Sequence, residues 1–316
     1  MRQPGNGTTS ATGPRIAFQG VPGAYSESAI GRLWPDGATS VPMRTCLDVT
    51  RAVAFGAVDA GVLPIENSIA GAVTDSHDAL AATPELLVVA ETLVPIRHAL
   101  LAVPHATLDG LHTIESHPVA LAQCRRFLAA HPTVSARATE DTAGAAVEIA
   151  AAGDPRRGAV ASAALDERLG LQVLAAEIED RPDNQTRFVA LVRPQGSVVM
   201  PDVPAASPAV LSLLVDLADG VADLGGVLTL VSEAGFTVRG VAVRPSDEPW
   251  TYRAGIELLH PSRDAAVGPL LDRIRARARS VRVLGTFAPA DADADAETPA
   301  RPADSPLRFP EERAHG

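Results

Sequence analysis

Strand-like and helical stretches alternate through residues 15–193 of this 316-residue chain, and no other feature of the sequence constrains the fold as strongly. Alternation of this kind predicts an α/β architecture with mostly parallel sheets, in which sites lie at the carboxyl ends of strands and at helix N-termini. The predicted strands are 15–19, 58–65, 86–94, 97–103, 112–115, 134–139, 158–162, 172–178 and 186–193. The predicted helices are 26–34, 47–56, 71–82, 118–130, 142–152 and 163–169.

A second unit follows a linker rich in proline and alanine at residues 194–208. Its predicted elements are strand 209–217, helix 222–234, strands 236–245 and 251–259, helix 263–277 and strand 280–286, within a unit spanning 209–287. This βαββαβ order predicts a ferredoxin-like domain. The stretches 1–14 and 288–316 carry no apolar pattern that could bury a face, so both are predicted to be disordered.

The charge balance narrows the classes of partner. A net charge of -11 and a pI near 5.2 argue against a nucleic-acid partner, because phosphate binding needs a basic face. No apolar run reaches the roughly 18–20 residues of a membrane span, and the first residues lack the hydrophobic stretch of a signal peptide. We therefore expect a cytoplasmic protein with neither a nucleic-acid nor a membrane partner.

Cysteine and lysine usage restricts the chemistry. Cys46 and Cys124 are far apart and lack metal-ligand spacing, which predicts a reduced compartment and no metal site. Cys124 shares an apolar helix face with Leu121 and Leu128 and is interpreted as a buried structural thiol. The chain has no lysine, which excludes Schiff-base catalysis, a lysine-anchored pyridoxal phosphate and the lysine of a P-loop.

Two polar stretches stand where predicted strands run into helices. In Glu66-Asn67-Ser68, a carboxylate, an amide and a hydroxyl follow a buried strand, although an ordinary helix N-cap has the same composition. In Glu115-Ser116-His117-Pro118, proline at the first helical position predicts a helix start whose free N–H groups face any bound anion, with Gln123 about two turns further on. A plain capping motif explains the second stretch equally well, with His117 as a capping or hydrogen-bonding residue.

A third stretch, Asp183-Asn184-Gln185-Thr186-Arg187-Phe188, leads from a loop into a strand. It places the Thr186 hydroxyl and the Arg187 guanidinium at neighbouring positions. Spacing alone also fits a β-branched strand start beside a solvated arginine, so the residues taken singly leave both interpretations open.

The motifs taken together indicate a protein family more specifically than any single motif does. Taken in order, GVPGAYSESA, GVLPIENSIAG, ESHPVALAQC, Thr139-Glu140-Asp141-Thr142 and DNQTRF resemble the prephenate dehydratase family across residues 15–193. The βαββαβ stretch is similar to the ACT domain that usually follows in that family. The resemblance implies two α/β lobes like those of a type II periplasmic binding protein, with the substrate prephenate in the cleft between them. It also implies conversion of prephenate to phenylpyruvate, water and carbon dioxide without a metal or cofactor.

The resemblance also implies residue roles. Thr186 matches the proposed proton donor to the departing hydroxyl. Substrate binding is implied for Asn67, Ser116, Gln123 and Arg187. Supporting roles are implied for Glu66, Glu140 and Phe188.

The resemblance weakens in the second unit. The family often carries Gly-Ala-Leu at the first ACT helix and Glu-Ser-Arg-Pro on the following strand, both belonging to the phenylalanine effector site. The aligned positions here are Ala222-Asp223-Leu224 and Ala242-Val243-Arg244-Pro245. Because the glycine and the Glu-Ser pair are lost, we expect a degenerate effector site. The domain should still fold and serve mainly in subunit association, as a homodimer or homotetramer.

The sequence leaves other functions open. Some relatives decarboxylate prephenate without losing the hydroxyl, and others prefer arogenate, whereas the intact Thr-Arg-Phe motif favours dehydration. A non-catalytic amino-acid sensor built on the same fold would not need to keep Thr186, Asn67 and Gln123. No helical segment of the kind a fused chorismate mutase needs precedes the first strand, so we expect one activity.

Overall fold

The computed structural model describes residues 13–196, 198, 208–260 and 267–290. The disorder predicted at 1–14 and 288–316 falls almost entirely outside these ranges. So do most of the linker 194–208 and the start of the helix predicted at 263–277. Within the described ranges, no helix is long and apolar enough to cross a membrane.

The described residues form two lobes and a third unit. The first lobe contains β1 (Arg15–Gln19), α1 (Tyr25–Leu33), β2 (Thr39–Met43), α2 (Cys46–Ala54), β3 (Ala60–Asn67), β4 (Gly71–Ala72), α3 (Thr74–Ala82) and β5 (Leu87–Pro95). The second lobe contains β6 (Ala99–Ala102), β7 (Thr113–Ser116), α4 (Pro118–Gln123), α5 (Arg125–Ala130), β8 (Ser135–Ala138), α6 (Thr142–Ala152), β9 (Arg157–Ala161), α7 (Leu165–Leu169) and β10 (Gln172–Ala175). The chain then returns to the first lobe as β11 (Gln185–Val192).

Both lobes are built on mixed sheets. The first sheet has the order β2-β1-β3-β11-β5 with β4 beside β3, and the second has the order β10-β6-β9-β7-β8. β1 is parallel to β2 and β3, whereas β11 is antiparallel to both of its neighbours and β6 is antiparallel to β9 and β10. The expectation of mostly parallel sheets is therefore wrong. Apart from the short β3–β4 pair, each antiparallel pair of the two lobes involves β6 or β11, the strands that follow the crossings between the lobes.

The third unit contains β12 (Ala209–Asp216), α8 (Ala222–Glu233), β13 (Thr237–Pro245), β14 (Tyr252–His260), α9 (Val267–Arg275) and β15 (Ser280–Phe287). Its strands are antiparallel in the order β13-β14-β12-β15, which is the ferredoxin-like arrangement that the sequence predicts. One face of the sheet shares a core with α8 and α9, and the other packs on the first lobe.

The third sheet approaches the first lobe closely along β15. Val210, Leu284 and Phe287 of the third unit belong to the same buried cluster as Leu80 and Val88 of the first lobe. At Gly285, a Cβ atom would lie only 1.9 Å from the carbonyl oxygen of Val88, so glycine alone permits this approach.

The structure departs from the predicted elements at strand β2 and within the helix predicted at 118–130. Strand β2 was not predicted, because it is a partly exposed edge strand that contains Pro42, and apolar periodicity does not mark such strands. The helix predicted at 118–130 is divided at Cys124. There, the backbone N–H of Asp180 donates to the carbonyl oxygen of Gln123 (2.6 Å), and the Asp180 carboxylate accepts from the N–H of Arg126 (2.9 Å). A contact distant in sequence thus ends one helix and caps the next.

The helix α6 begins and ends as its sequence predicts. Asp141 is its N-cap, and the Asp141 carboxylate accepts the backbone N–H of Gly144 at 2.5 Å. Gly153 ends the helix in the left-handed region, with φ of 64°. The motif 139–142 therefore serves as a helix start, and Glu140 lies exposed in the loop before it.

Candidate active site

The end of β3 forms a tight turn. The predicted helix at 71–82 begins only at Thr74, because Gly71 and Ala72 pair with β3 as β4. The Asn67 side-chain oxygen closes the turn by accepting the backbone N–H groups of Ile69 (3.0 Å) and Ala70 (2.8 Å). Asn67 therefore holds a turn rather than capping a helix, and its Oδ1 is committed to the backbone.

With its oxygen committed, Asn67 turns its Nδ2 toward the start of β11. Nδ2 lies 3.0 Å from Thr186 Oγ1, 2.8 Å from Asn184 Oδ1 and 3.1 Å from the carbonyl oxygen of Gln185. Asn67 and Thr186 face each other in the register of β3 and β11. Antiparallel pairing thus brings together two residues that are 119 positions apart in the chain.

The oxygen of the Thr186 hydroxyl accepts a hydrogen bond from Asn67, and the hydroxyl also carries a proton that it can donate. Thr186 is 8% exposed, and among the described residues no acceptor for that proton is found. A hydroxyl carries one donor and two acceptor lone pairs. The geometry therefore leaves the Thr186 O–H available to a ligand, while the N–H of Asn67 polarises its oxygen.

Arg187 lies on the opposite face of β11, because successive side chains of a strand alternate. Its Nη1 donates to Glu91 Oε2 and to Glu257 Oε1, both at 3.0 Å, and its Nη2 donates to Glu66 Oε2 at 2.9 Å. Burial opposes the charged form, but Glu257, Glu91 and Glu66 together raise the pKa of Arg187. The guanidinium of Arg187 is thus engaged between the first lobe and the third unit, and the substrate-binding role expected for Arg187 stays a prediction.

Two further predicted residues lie on the second lobe. Ser116 ends β7, is fully buried, and donates its hydroxyl to the carbonyl oxygen of Val160 at 2.6 Å. Gln123 ends α4, and its side-chain amide lies 3.0 Å from Nε2 of His98. The His117 side chain accepts the N–H of Val119, as expected for a capping histidine, and Cys124 is buried.

Tyr25 and His98 join Gln123 in a chain of hydrogen bonds that the sequence interpretation missed. The Tyr25 hydroxyl donates to the carbonyl oxygen of Arg97 at 2.5 Å and lies 3.2 Å from Nδ1 of His98. Nε2 of His98 lies 3.0 Å from Oε1 of Gln123, and burial lowers the pKa of His98. The chain links α1 of the first lobe, the crossing segment at His98 and α4 of the second lobe.

The remaining predicted positions are placed as follows. Glu66 pairs with Arg187, and Phe188 is 2% exposed in the core of the first lobe. Glu140 is an exposed loop residue. Within the described ranges, no group of three or more His, Cys, Asp or Glu side chains could hold a metal ion.

The degenerate effector positions lie at two ends of the third unit. Ala222, Asp223 and Leu224 open α8, where the Asp223 carboxylate accepts the N–H of Asp219 at 2.7 Å and lies 3.7 Å from Nε of Arg277. The other positions, Ala242, Val243, Arg244 and Pro245, end β13. Arg244 pairs with Asp78 of α3 (2.7 and 3.1 Å), and Ala242 lines a cavity of about 60 Å³ between the third sheet and the first lobe.

Two lobes on mixed sheets, joined by crossing segments and followed by a ferredoxin-like unit, define a binding-protein-like architecture with an ACT-like domain. The family model for prephenate dehydratase matches residues 16–196. A prephenate dehydratase of Amycolatopsis methanolica is 33% identical over 279 residues, which cover 88% of this chain and 89% of that protein. The chain therefore belongs to the prephenate dehydratase family.

Two other relatives are similar to this chain over different shares of its length. Arogenate dehydratase 1 of Petunia hybrida is 42% identical over 180 residues, covering 57% of this chain and 42% of that protein, so the match spans less than half the length of that relative. The crystal structure of a prephenate dehydratase from Arthrobacter aurescens in complex with L-Phe is similar, with a TM-score of 0.77 and 29% identity. That similarity covers 87% of this chain and 90% of the Arthrobacter chain.

Proposed function

We propose that the chain is a dehydratase that converts prephenate to phenylpyruvate, carbon dioxide and water in phenylalanine biosynthesis. The observation that carries the proposal is the buried Thr186 hydroxyl, which accepts from Asn67 and retains an uncommitted proton. Membership of the family supports the reaction class.

The reaction requires few catalytic groups from the protein. Prephenate carries a ring carboxylate opposite a hydroxyl, and the loss of both makes the ring aromatic. The C–C bond to the carboxylate breaks, and its electron pair completes the ring as carbon dioxide leaves. The C–O bond breaks with its pair on oxygen, which takes the Thr186 proton and leaves as water, and Thr186 regains a proton from solvent. A positioned donor of this kind contributes ~10²–10⁴-fold to rate.

Asn67 has a defined part in this proposal. Its Nδ2 holds Thr186 Oγ1 as an acceptor at 3.0 Å, which directs the Thr186 proton away from Asn67. Because hydrogen bonds in a chain strengthen one another, donation into Oγ1 also makes the hydroxyl a better donor. Ser116 and Gln123 are proposed to bind the substrate from the second lobe. There, the Ser116 oxygen can still accept, and the chain from Tyr25 through His98 fixes the Gln123 amide.

Arogenate is the second candidate substrate, because relatives about 42% identical over the matched region carry the name arogenate dehydratase. Prephenate and arogenate differ at the side chain, where one has a keto group and the other an amine. The leaving groups on the ring are the same, so the chemistry proposed for Thr186 serves either substrate.

The test is to incubate the purified full chain with prephenate and, separately, with arogenate, and to identify the products by ultraviolet absorbance and mass. Phenylpyruvate from prephenate, formed faster than phenylalanine from arogenate, is the expected result. The reverse order would reassign the substrate, and a non-aromatic dihydro product would indicate decarboxylation alone. No turnover of either compound would contradict the enzyme assignment and favour a sensor.

The third unit is proposed to act in subunit association, as a homodimer or homotetramer. Strand β13 is an edge of its sheet, and Val238, Val241 and Val243 on it are each about two-fifths exposed. Unpaired edges with apolar side chains favour pairing with another chain. The Arthrobacter relative was crystallised with L-Phe. For this chain we propose weak or no phenylalanine binding, because of the lost effector-site residues.

A further inference from the structure

The Asn184 side chain is buried and only half satisfied. Asn184 is 0% exposed, and its Oδ1 accepts from Nδ2 of Asn67 at 2.8 Å. Its Nδ2, also buried, has no hydrogen-bond partner in the part of the chain that the structure describes. Asn184 immediately precedes β11, two positions before Thr186.

The orientation of this amide follows from its neighbours. The backbone N–H groups of Ile69 and Ala70 both donate to Oδ1 of Asn67, so the Asn67 group that faces Asn184 is its NH₂. An NH₂ group needs an acceptor, so Asn184 must present its oxygen to Asn67 and turn its own NH₂ the other way. Turning Asn184 over would bring two NH₂ groups together, and the free donor is therefore a consequence of the turn after β3.

A free donor in this position is costly for the folded protein. Nearly all buried polar groups in proteins have a partner, and a buried donor left without one destabilises the folded state. The Asn184 backbone is held in place, because the carbonyl oxygen of Asn184 accepts the N–H of Ile96 at 2.8 Å in the crossing segment. A cost fixed in this way favours an acceptor that comes from outside the chain.

Asn184 and Thr186 are linked through one amide. The Asn67 Nδ2 lies 2.8 Å from Asn184 Oδ1 and 3.0 Å from Thr186 Oγ1, so both residues have an acceptor held by Asn67 and a donor left over. The Asn67 amide thus holds two buried donors, and donors fixed in this way stabilise an oxygen on which negative charge develops.

We infer that Asn184 is a catalytic residue whose Nδ2 donates a hydrogen bond to the departing hydroxyl oxygen of the substrate while Thr186 gives it a proton. The inference rests on the proposed dehydratase function and adds a second donor to it. Because the bond strengthens as the C–O bond breaks, Asn184 acts mainly on kcat. Removing one such donor in other enzymes lowers kcat by roughly 10²–10³-fold.

The test compares Asn184→Asp with the wild-type chain in steady-state kinetics. Aspartate has the same shape and keeps an oxygen for Asn67, but an ionised carboxylate has no donor. We expect kcat to fall by ~10²-fold at neutral pH, with KM changing less than threefold. As the pH falls and the introduced carboxyl is protonated, it becomes a donor. We therefore expect kcat of the variant relative to wild type to rise toward acid, which a merely structural role would not produce.

Two companion variants keep the result interpretable. Asp183→Asn makes the converse change at an exposed neighbouring position, and we expect it to leave kcat and KM unchanged. Asn184→Ser removes the amide without adding a charge and should reproduce the loss of kcat without the recovery in acid. It also guards against misfolding of the aspartate variant.

The outcomes separate this inference from the proposed function. A kcat within threefold of wild type in both Asn184 variants, or a loss carried by KM alone, would overturn the role of Asn184 and leave the dehydratase assignment in place. Failure of the wild-type chain to form an aromatic product from either substrate would overturn both.

Discussion

The two faces of strand β11 are organised in opposite ways. On one face, the side chains of Asn67, Asn184 and Thr186 are polar and buried. The Asn184 amide and the Thr186 hydroxyl each keep a donor without an acceptor in the described structure. On the other face, Arg187 is held by three carboxylates, including Glu257 of the third sheet. Thr186 and Arg187 are neighbours in sequence, yet their surroundings differ completely.

The difference supports the proposed division between residues that act on a ligand and residues that maintain the fold. Donors left free at some cost to stability are typical of sites whose partner is a substrate, whereas compensated charges are typical of structural contacts. By this criterion the Thr-Arg-Phe motif combines three tasks. Thr186 supplies a donor, Arg187 joins two domains, and Phe188 fills the core of the first lobe.

The largest effect is expected on the donor face, from Thr186→Val. Valine has nearly the same shape as threonine but no hydroxyl, so kcat should fall by ~10²-fold or more. KM should change far less, because the interaction is realised mainly in the transition state. Steady-state kinetics with prephenate would measure both parameters.

Thr186→Ser is the matched control, because it keeps the hydroxyl and removes only a methyl group. We expect it to retain most of the wild-type kcat. A Thr186→Val variant with more than half of the wild-type kcat would remove the distinction between the two faces of β11.

On the opposite face, Arg187→Met should act on stability. The change leaves the buried Glu91 and the neighbouring Glu66 and Glu257 with Arg239 as their remaining guanidinium in the cluster. Breaking a buried ion pair by removing one partner costs about 3–5 kcal/mol. Denaturant unfolding would measure the loss.

Glu257→Gln sharpens this prediction, because it removes one of three carboxylates facing two guanidiniums. The cluster then becomes neutral, and the glutamine can still accept a hydrogen bond from Arg187. We expect a loss of roughly 1 kcal/mol, as for a hydrogen bond of ordinary strength. Equal losses in Arg187→Met and Glu257→Gln would contradict the view that charge balance decides stability on this face.

The smallest effect is expected from added phenylalanine. At the start of α8, Ala222 carries a methyl group where the family often has glycine, and Asp223 would repel the carboxylate of an amino acid. Ala242 and Val243 offer no side-chain hydrogen bonds, and each lost contact costs about 1 kcal/mol or more. Titration of phenylalanine against initial rate should therefore show weak or no inhibition. Half-inhibition at low micromolar concentration would show that the effector site survives these substitutions.

The order of elements and the ferredoxin-like unit could be predicted because both follow from local periodicity and loop signals. The mixed character of the sheets could not, since the pairing of β11 with β3 and β5 depends on how the chain returns across the lobe boundary. The orientation of Asn67 depends on two backbone N–H groups in a turn whose sequence also fits a helix start. No local pattern gives that orientation.

Some residues missed in the sequence had a detectable signal. Asn184 and Tyr25 both lie within motifs that support the family resemblance, and Glu91 is the one charged residue of the mainly apolar strand β5. A lone charge in a buried strand indicates a buried partner elsewhere in the chain, here Arg187 and Arg239. His98 had no such signal, because only the meeting of α1, α4 and the crossing segment gives it its partners.

The shared core beneath β15 has a consequence for how this protein can be divided. A cut in the linker separates two stretches of sequence. Removing the third unit would take away Val210, Leu284 and Phe287 and leave Leu80 and Val88 facing water. Glu91 would also lose its hydrogen bonds from Arg239 and from the N–H of Ala290. The sequence is therefore modular while the folding energy is not. An exchange of the C-terminal unit with that of a relative would succeed only if the incoming sheet brought its own glycine at position 285 and its own arginine for Glu91.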